Sequence, residues 1–120
     1  MKHRKGRVEG EILRELTKII RKNIRDPRVS DVTFTAVECS NDFSYATVYY
    51  SLLTEDEQAQ KGAEAGLEKA KGTMRHLLGQ SLTMYKVPEL IFKRDQSVIY
   101  GSKIDRLLAD LKKQEQDRQN

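Results

Sequence analysis

Four cations at helical spacing are the residues of this sequence whose types and spacing most clearly favour a chemical role. They share positive charge and steps of three or four residues, and they are Arg14, Lys18, Arg21 and Arg25. A helix of 3.6 residues per turn places such a series in one stripe. Because clustered Arg and Lys side chains neutralise phosphates, the stripe predicts a face that binds nucleic acid. A solvated helix face is the alternative, although such a face usually mixes both signs of charge.

The segment around Gly72 is a second candidate binding surface. Its basic side chains are Lys69, Lys71, Arg75 and His76. Apolar residues between Ala63 and Met84 recur at helical spacing, and Gly72 falls on the opposite side of that helix. A glycine on the outside of a helix costs about 1 kcal/mol relative to alanine. We therefore expect a bend at Ala70-Lys71-Gly72 or the close approach of a ligand, with an ordinary helix that tolerates its glycine as an equal alternative.

Charge is segregated along the chain more strongly than the net value of +4 suggests. Residues 1–28 carry a net charge of +6, residues 29–68 carry −7, and residues 69–106 carry +5. If the two basic blocks meet in the folded protein, it has one positive and one negative face. Such a charge distribution is expected of a protein that binds a polyanion.

Residue types that support catalysis are few. Two histidines and a single cysteine, Cys39, argue against a zinc site and rule out a disulfide within the chain. Asp42 and Asp95 would meet only if two strand ends align, and such a pair could hold a metal or exchange protons. Aspartates in turns more often hydrogen-bond their own backbone. We therefore predict no catalytic residue, no metal and no cofactor.

Hydrophobic periodicity predicts the elements that position these residues. The first is a helix over Arg7–Ile24, ended by Asp26-Pro27-Arg28, and it is followed by a hairpin whose strands begin at Asp31 and span Tyr45–Leu53, with a turn at Ser40-Asn41-Asp42. A Thr54/Glu57 capping box then begins a helix that reaches the bend at Ala70-Lys71-Gly72, and a further helix continues to Met84. The last two elements are a strand over Glu89–Arg94 and a C-terminal helix that begins with a Ser102/Asp105 capping box. Residues 1–113 are expected to form one domain, and residues 114–120 to fray.

Three strands with helices on one face make an α+β two-layer domain. Its strand, helix, helix, strand core resembles a KH module, in which a turn between two helices receives the nucleic-acid backbone. Tyr45 and Tyr49 could stack on bases, but they lie in the acidic block and are interpreted as structural. No apolar run approaches the roughly 20 residues that span a bilayer, so we expect a soluble, cytoplasmic protein.

An ordered set of motifs resembles the ribosome-binding factor A family. The matching segments are Arg7-Val8, Asp26-Pro27-Arg28-Val29, Ser40-Asn41-Asp42, Ala46-Thr47-Val48-Tyr49 and Val87-Pro88-Glu89-Leu90, with Phe92 and Asp95. The resemblance implies a KH-like fold of type II, in which an Ala-x-Gly kink between two helices replaces the Gly-x-x-Gly loop. Here that kink would be Ala70-Lys71-Gly72.

The same resemblance implies a function. It implies a non-catalytic bacterial assembly factor that binds the free 30S small ribosomal subunit and its 16S rRNA, assists late maturation and rRNA processing, and needs no cofactor; we expect a monomer. The expected RNA-binding residues are Arg14, Lys18, Arg21, Arg25, Arg28, Lys69, Lys71 and Arg75. Two alternatives stay open: a small metal-dependent RNA nuclease or hydrolase that uses Asp42 and Asp95, and a protein-binding adaptor that uses the acidic hairpin.

Overall fold

A computed structural model of the protein describes residues 2–84 and 86–95, with side chains from residue 5 onward. Its elements are helix α1 (Lys2–Lys22), a 3-10 helix over Pro27–Val29 that we call the Pro27 turn, strands β1 (Thr33–Cys39) and β2 (Tyr45–Ser51), helix α2 (Glu57–Leu82) and strand β3 (Glu89–Arg94). The predicted C-terminal helix at Ser102 and Asp105, the domain boundary at residue 113 and the tail lie outside the described residues.

Helix α1 begins at Lys2, five residues before the predicted start at Arg7. The prediction began where the apolar period begins, whereas the preceding basic residues include no proline that would stop a helix. The side of α1 that packs on the sheet and on α2 is apolar apart from Glu9. Its buried residues are Ile12, Leu16, Ile19 and Ile20. The period of 3.6 therefore predicted the buried face of this helix correctly, although not its first turn.

Strands β1 and β2 form the predicted antiparallel hairpin. The predicted inward face of β2 is confirmed, because Ala46, Val48, Tyr50 and Leu52 are all buried. In β1, however, the pairing skips Thr35: Phe34 lies opposite Tyr50, and Ala36 lies opposite Tyr49. This β-bulge shifts the alternation by one residue, so Phe34 and Val37 both face the core.

Strand β3 spans the predicted residues Glu89–Arg94 and pairs in parallel with β2, which gives the strand order β1-β2-β3. Leu90 is buried, and Phe92 is half-buried with its ring stacked on that of Phe34 at 6.1 Å between centroids. A parallel pair needs a long crossover connection, which α2 provides. Both helices lie on the same side of the sheet, as the two-layer α+β prediction requires.

Helix α2 corrects two predictions. It begins at Glu57 with Asp56 as its N-cap, since the Asp56 side chain accepts from the Gln58 amide; the predicted Thr54/Glu57 capping box is wrong. It also continues unbroken to Leu82, so the predicted division into two helices at Ala70-Lys71-Gly72 is wrong as well. The buried residues Met74 and Leu78 beyond that segment continue the same apolar face. Their burial offsets the roughly 1 kcal/mol that Gly72 costs within a helix.

Two glycines in the first half of α2, Gly62 and Gly66, lie one helical turn apart and form a groove in its surface. The Pro27 turn occupies this groove: a methyl group on Gly66 would lie 2.7 Å from Cγ1 of Val29 and 3.3 Å from Oδ2 of Asp26. At Gly62 the closest atom, Cγ of Arg28, would be 3.8 Å away. By helix propensity alone both glycines weaken α2. The structure gives Gly66 a further role, since its missing side chain permits the closest approach between the Pro27 turn and α2.

None of the described helices combines the length and the apolar character that a membrane crossing requires.

The groove predicts opposite effects for two Gly→Ala changes in the same helix. Gly66→Ala should destabilise the fold by about 1–3 kcal/mol, because Val29 must move to admit the methyl group. Gly72→Ala should stabilise it by up to about 1 kcal/mol, since no atom outside the local helix lies within 4 Å of the new methyl group. Urea unfolding of both variants measures the difference, with Gly62→Ala as the matched control in the groove. A Gly66→Ala variant as stable as Gly72→Ala would contradict the close packing.

Candidate nucleic-acid interface

All four cations of the predicted stripe are exposed. Arg14, Lys18 and Arg21 lie opposite the buried face of α1, whereas Arg25 follows the end of that helix, which stops at Lys22 rather than at the predicted Ile24. The stripe is bordered by carboxylates, which the spacing of the cations does not reveal. Lys18 Nζ lies 3.4 Å from Glu15 Oε1, and Nε of Arg7, one of the cations that precede the stripe, lies 3.5 Å from Glu11 Oε1. Exposed ion pairs of this kind contribute little, so a phosphate could displace them. The other three cations of the stripe have no carboxylate partner among the described residues.

The Pro27 turn follows α1 directly and presents Arg28. Asp26 caps this turn: its Oδ1 accepts from the Arg28 amide at 3.0 Å, and its Oδ2 accepts from Arg28 Nη2 at 2.7 Å. Hydrogen bonds from the Arg28 side chain and amide hold the pKa of Asp26 at about 2. Asp26 Oδ2 lies 3.3 Å from a methyl group placed on Gly66 of α2, and Lys69 is a neighbour of Gly66 on that helix, three residues further on. Lys69 therefore lies close to this turn, and its charge also lowers the pKa of Asp26.

The two basic segments of the sequence therefore meet at one place. Arg25 and Arg28 belong to the first basic block, and Lys69 opens the second. The glycine groove of α2 brings them together, since the aliphatic part of the Arg28 side chain lies across Gly62. We call this set, with the α1 stripe that leads into it, the basic face. It consists of Arg14, Lys18, Arg21, Arg25, Arg28 and Lys69, all of them exposed.

Lys71 and Arg75, which the sequence placed with the RNA-binding cations, have partners within the protein. Lys71 lies 2.9 Å from Glu68, and its Nζ is 5.9 Å from the centroid of the Phe92 ring. Arg75 donates from Nε to the carbonyl of Pro88 at 3.1 Å and from Nη2 to that of Val87 at 3.0 Å. Both side chains are half-buried. The geometry thus gives Arg75 a structural task, which is to hold the chain that enters β3.

The segment Ala70-Lys71-Gly72 is not a helix terminus. Ala70 is half-buried against the core, and Gly72 is exposed, with no atom outside the local helix within 4 Å of a methyl group placed on it. Because α2 continues through this segment, the amides that follow Gly72 are not free to bind an anion. The expectation of a helix N-terminus just after Gly72 is therefore wrong.

Asp42 and Asp95 do not form a carboxylate pair. Asp42 lies in the hairpin turn before β2, whereas the Asp95 amide donates to the carbonyl of Tyr50 near the other end of that strand. Five residues of strand separate these ends by roughly 16 Å. The Asp42 carboxylate accepts from the amide and hydroxyl of Ser44 and from the Ser40 hydroxyl, which holds its pKa at about 2. Within residues 5–95, Tyr85 excepted, no three His, Cys, Asp or Glu side chains are grouped as metal ligands.

Cys39 is not placed for nucleophilic chemistry. It is buried at the end of β1, and its backbone amide donates to Glu9 Oε2 at 2.7 Å. Burial, together with the negative charge of Glu9, raises the pKa of the Cys39 thiol to about 11. The thiolate that would act as a nucleophile is therefore scarce at neutral pH. No pattern in the sequence indicates the Glu9 contact, which ties α1 to β1.

The outward face of the sheet carries the two tyrosines that could stack on bases. Tyr45 is half exposed, and Tyr49 donates its hydroxyl to Glu38 at 3.4 Å. The charge of Glu38 raises the pKa of Tyr49. A carboxylate beside the ring makes this face less favourable for a polyanion than the basic face on the helices.

Comparisons with known proteins agree with this fold. The family model for ribosome-binding factor A matches residues 4–108 of the chain. A ribosome-binding factor A of Lactobacillus delbrueckii subsp. bulgaricus is 98% identical over 120 residues, which is 100% of each chain.

Two similar solved structures come from Thermus thermophilus. The crystal structure of its ribosome-binding factor A has a TM-score of 0.67 at 29% identity and covers 75% of this chain and 93% of that one. A homology model of ribosome binding factor A, fitted into a cryo-electron microscopy map of a 30S complex, has a TM-score of 0.64 at 29% identity. It covers 78% of this chain and 97% of that chain.

The two hydrogen bonds from Arg75 to carbonyl groups predict that the shape of its guanidinium group, and not only its charge, stabilises the fold. Arg75→Lys keeps the charge but cannot reproduce the fork, so it should destabilise the fold by about 1–3 kcal/mol. Arg14→Lys, on the exposed stripe, should change stability by no more than about 0.5 kcal/mol. Denaturant unfolding compares the two. Equal stability of the two variants would show that the Arg75 fork is dispensable.

Asp42 predicts a loss of stability in acid. Its pKa falls from 3.8 to about 2 on folding. The carboxylate therefore stabilises the fold above pH 4, and that contribution is lost as the pH falls from about 4 to 2. Asp42→Asn should be less stable than the parent at pH 7 and should lose less stability between pH 4 and 2, with Asp26 accounting for part of the remainder. Thermal melting against pH measures both effects, and an unchanged acid profile in the variant would contradict the assignment.

Proposed function

Because this chain belongs to the ribosome-binding factor A family, we propose that it is a non-catalytic assembly factor that binds the small ribosomal subunit through 16S rRNA. The observation that carries the proposal is the basic face, in which cations from both basic blocks of the sequence meet. Phosphate contacts supply most of the affinity in such interfaces. By this proposal the protein assists late maturation of the subunit and the processing of its rRNA.

A similar protein supports the choice of partner. The Thermus thermophilus ribosome binding factor A was fitted into the map of a complex with the 30S subunit. We extend that partner to this chain, whose fold is similar over 78% of its length. The proposed complex contains one copy of the chain, since neither the basic face nor the packing of its elements depends on a second copy.

Within the proposed interface the eight candidate cations have two different tasks. The six of the basic face contact phosphates directly, because their charged ends are exposed. Lys71 and Arg75 belong to the interface chiefly by keeping α2 and β3 in place. At Gly72 the outer surface of α2 carries no side chain, so an RNA backbone could approach the helix closely there. This close approach is the role that we propose for Ala70-Lys71-Gly72, since the segment is not a helix terminus.

Hydrolysis of RNA is not the activity that we propose. The carboxylates that a metal-dependent nuclease would need, Asp42 and Asp95, lie near opposite ends of β2. Asp42 is moreover committed to its own turn by hydrogen bonds from Ser40 and Ser44. A two-metal or metal-water mechanism requires ligands within a few ångströms of one another.

The proposal predicts a change in the salt dependence of binding. Replacing Arg14, Lys18, Arg21 and Arg25 together by glutamine should leave the fold nearly intact and weaken binding to purified small subunits and to isolated 16S rRNA. If these residues neutralise three or four phosphates, the slope of log affinity against log salt falls by about two to four units. Filter binding over a series of salt concentrations measures that slope.

The matched control removes two exposed cations elsewhere, with Lys86→Gln and Lys93→Gln in one chain. Its slope should stay close to that of the parent. Equal slopes for the parent and the quadruple variant would contradict the proposal. If the chain instead binds a protein of the subunit, with an affinity that does not depend on salt, and has no affinity for rRNA, it is a protein-binding adaptor.

A further inference from the structure

The guanidinium group of Arg28 is held by one edge only. Its Nε donates to both oxygens of Asp26, at 3.1 and 3.2 Å, and its Nη2 donates to Oδ2 at 2.7 Å. An arginine has a second edge, formed by Nη1 and the remaining proton of Nη2, which also fits a carboxylate or phosphate bidentately. That second edge has no hydrogen-bond partner among the described residues, and 42% of the Arg28 side chain is exposed.

The aliphatic part of Arg28 is held from the other side. Its Cβ, Cγ and Cδ would lie 3.8–3.9 Å from a methyl group placed on Gly62, so the side chain lies flat across the groove of α2. Arg28 is therefore fixed at both ends of its side chain before any ligand arrives. A long, charged side chain at a surface is normally mobile, and ordering it on binding lowers the affinity.

We propose that Asp26 is a positioning residue for RNA: it holds Arg28 so that the free guanidinium edge receives a backbone phosphate, beside Arg25 and Lys69. This inference rests on the proposed function and adds a residue that the charge pattern alone would exclude. A carboxylate within a phosphate-binding face repels the ligand. The Asp26 carboxylate favours binding only if its ordering of Arg28 contributes more binding free energy than its repulsion of the phosphate removes.

Because these two effects oppose each other, the direction in which one substitution changes the affinity for RNA distinguishes them. Asp26→Asn raises the net charge by one and keeps an oxygen that can cap the Pro27 turn. If charge alone governs binding, this variant binds 16S rRNA more tightly than the parent. If Asp26 positions Arg28, the variant binds roughly three- to tenfold more weakly, because the side chain must then be ordered on binding.

Asp31→Asn is the matched control. It makes the same change of charge five residues further on, at an exposed side chain with no hydrogen bond or ion pair to another described residue. It should bind as tightly as the parent or more tightly. Arg28→Lys is the complementary variant, because it keeps the charge and loses the planar fork. It should weaken binding as much as Asp26→Asn does, with an unchanged salt slope.

The experiment measures the affinity of the parent and the three variants for 16S rRNA by filter binding, each at several salt concentrations, after thermal melting has shown what fraction is folded. Weaker binding by Asp26→Asn with Asp31→Asn unaffected supports the inference. Equal binding by Asp26→Asn and Asp31→Asn overturns it and leaves the proposed function intact. A parent without salt-dependent affinity for rRNA overturns the proposed function, and this inference with it.

Discussion

The contact between Gly66 and Val29 is the constraint on which the arrangement of the basic face depends. A side chain at residue 66 would collide with Val29 at 2.7 Å, so the Pro27 turn reaches α2 only because the helix has no side chain there. Three consequences follow from this one contact. The end of α1 is fixed against α2, Asp26 is brought to the helix surface, and Arg28 is laid across Gly62.

The same contact connects the fold to its proposed function. Along the chain the two basic blocks are separated by a net charge of −7 over residues 29–68. They become one surface because the Pro27 turn, at the end of the first block, packs against Gly66, three residues before Lys69 at the start of the second. The helices thus carry the basic face on one side of the sheet, whereas the opposite side presents Tyr45, Tyr49 and Glu38, with Lys93 as an exposed cation of β3. In the proposed function, this arrangement orients the protein on the rRNA and favours rapid association with it.

The secondary-structure elements and most of their buried and exposed faces could be predicted from the periodicity of the sequence. The features that could not be predicted depend on contacts between residues far apart in the chain. The inward face of β2, the bounds of β3 and the exposure of Arg14, Lys18 and Arg21 on α1 follow from local periodicity, and the structure confirms them. The bulge at Thr35 does not follow, because register depends on which residues of the partner strand pair with it. Nor do the roles of Gly66 and Arg75, whose partners lie 37 and 12 or more residues away. A glycine inside a helix does not by itself reveal a close approach, because Gly66 meets Val29 whereas Gly72 of the same helix meets nothing within 4 Å.

In the proposed function, RNA contacts the side of the molecule formed by α1, the Pro27 turn and α2. Lysine footprinting tests it most directly: the protein is treated with an amine-acylating reagent, free and bound to purified small subunits, and modification is quantified by mass spectrometry. Lys18 and Lys69 lie on the basic face, and Lys93 is an exposed lysine of β3, where the sheet alternation turns it away from the helices. We expect binding to protect Lys18 and Lys69 and to leave Lys93 reactive. Protection of Lys93 with Lys18 and Lys69 still reactive would contradict it.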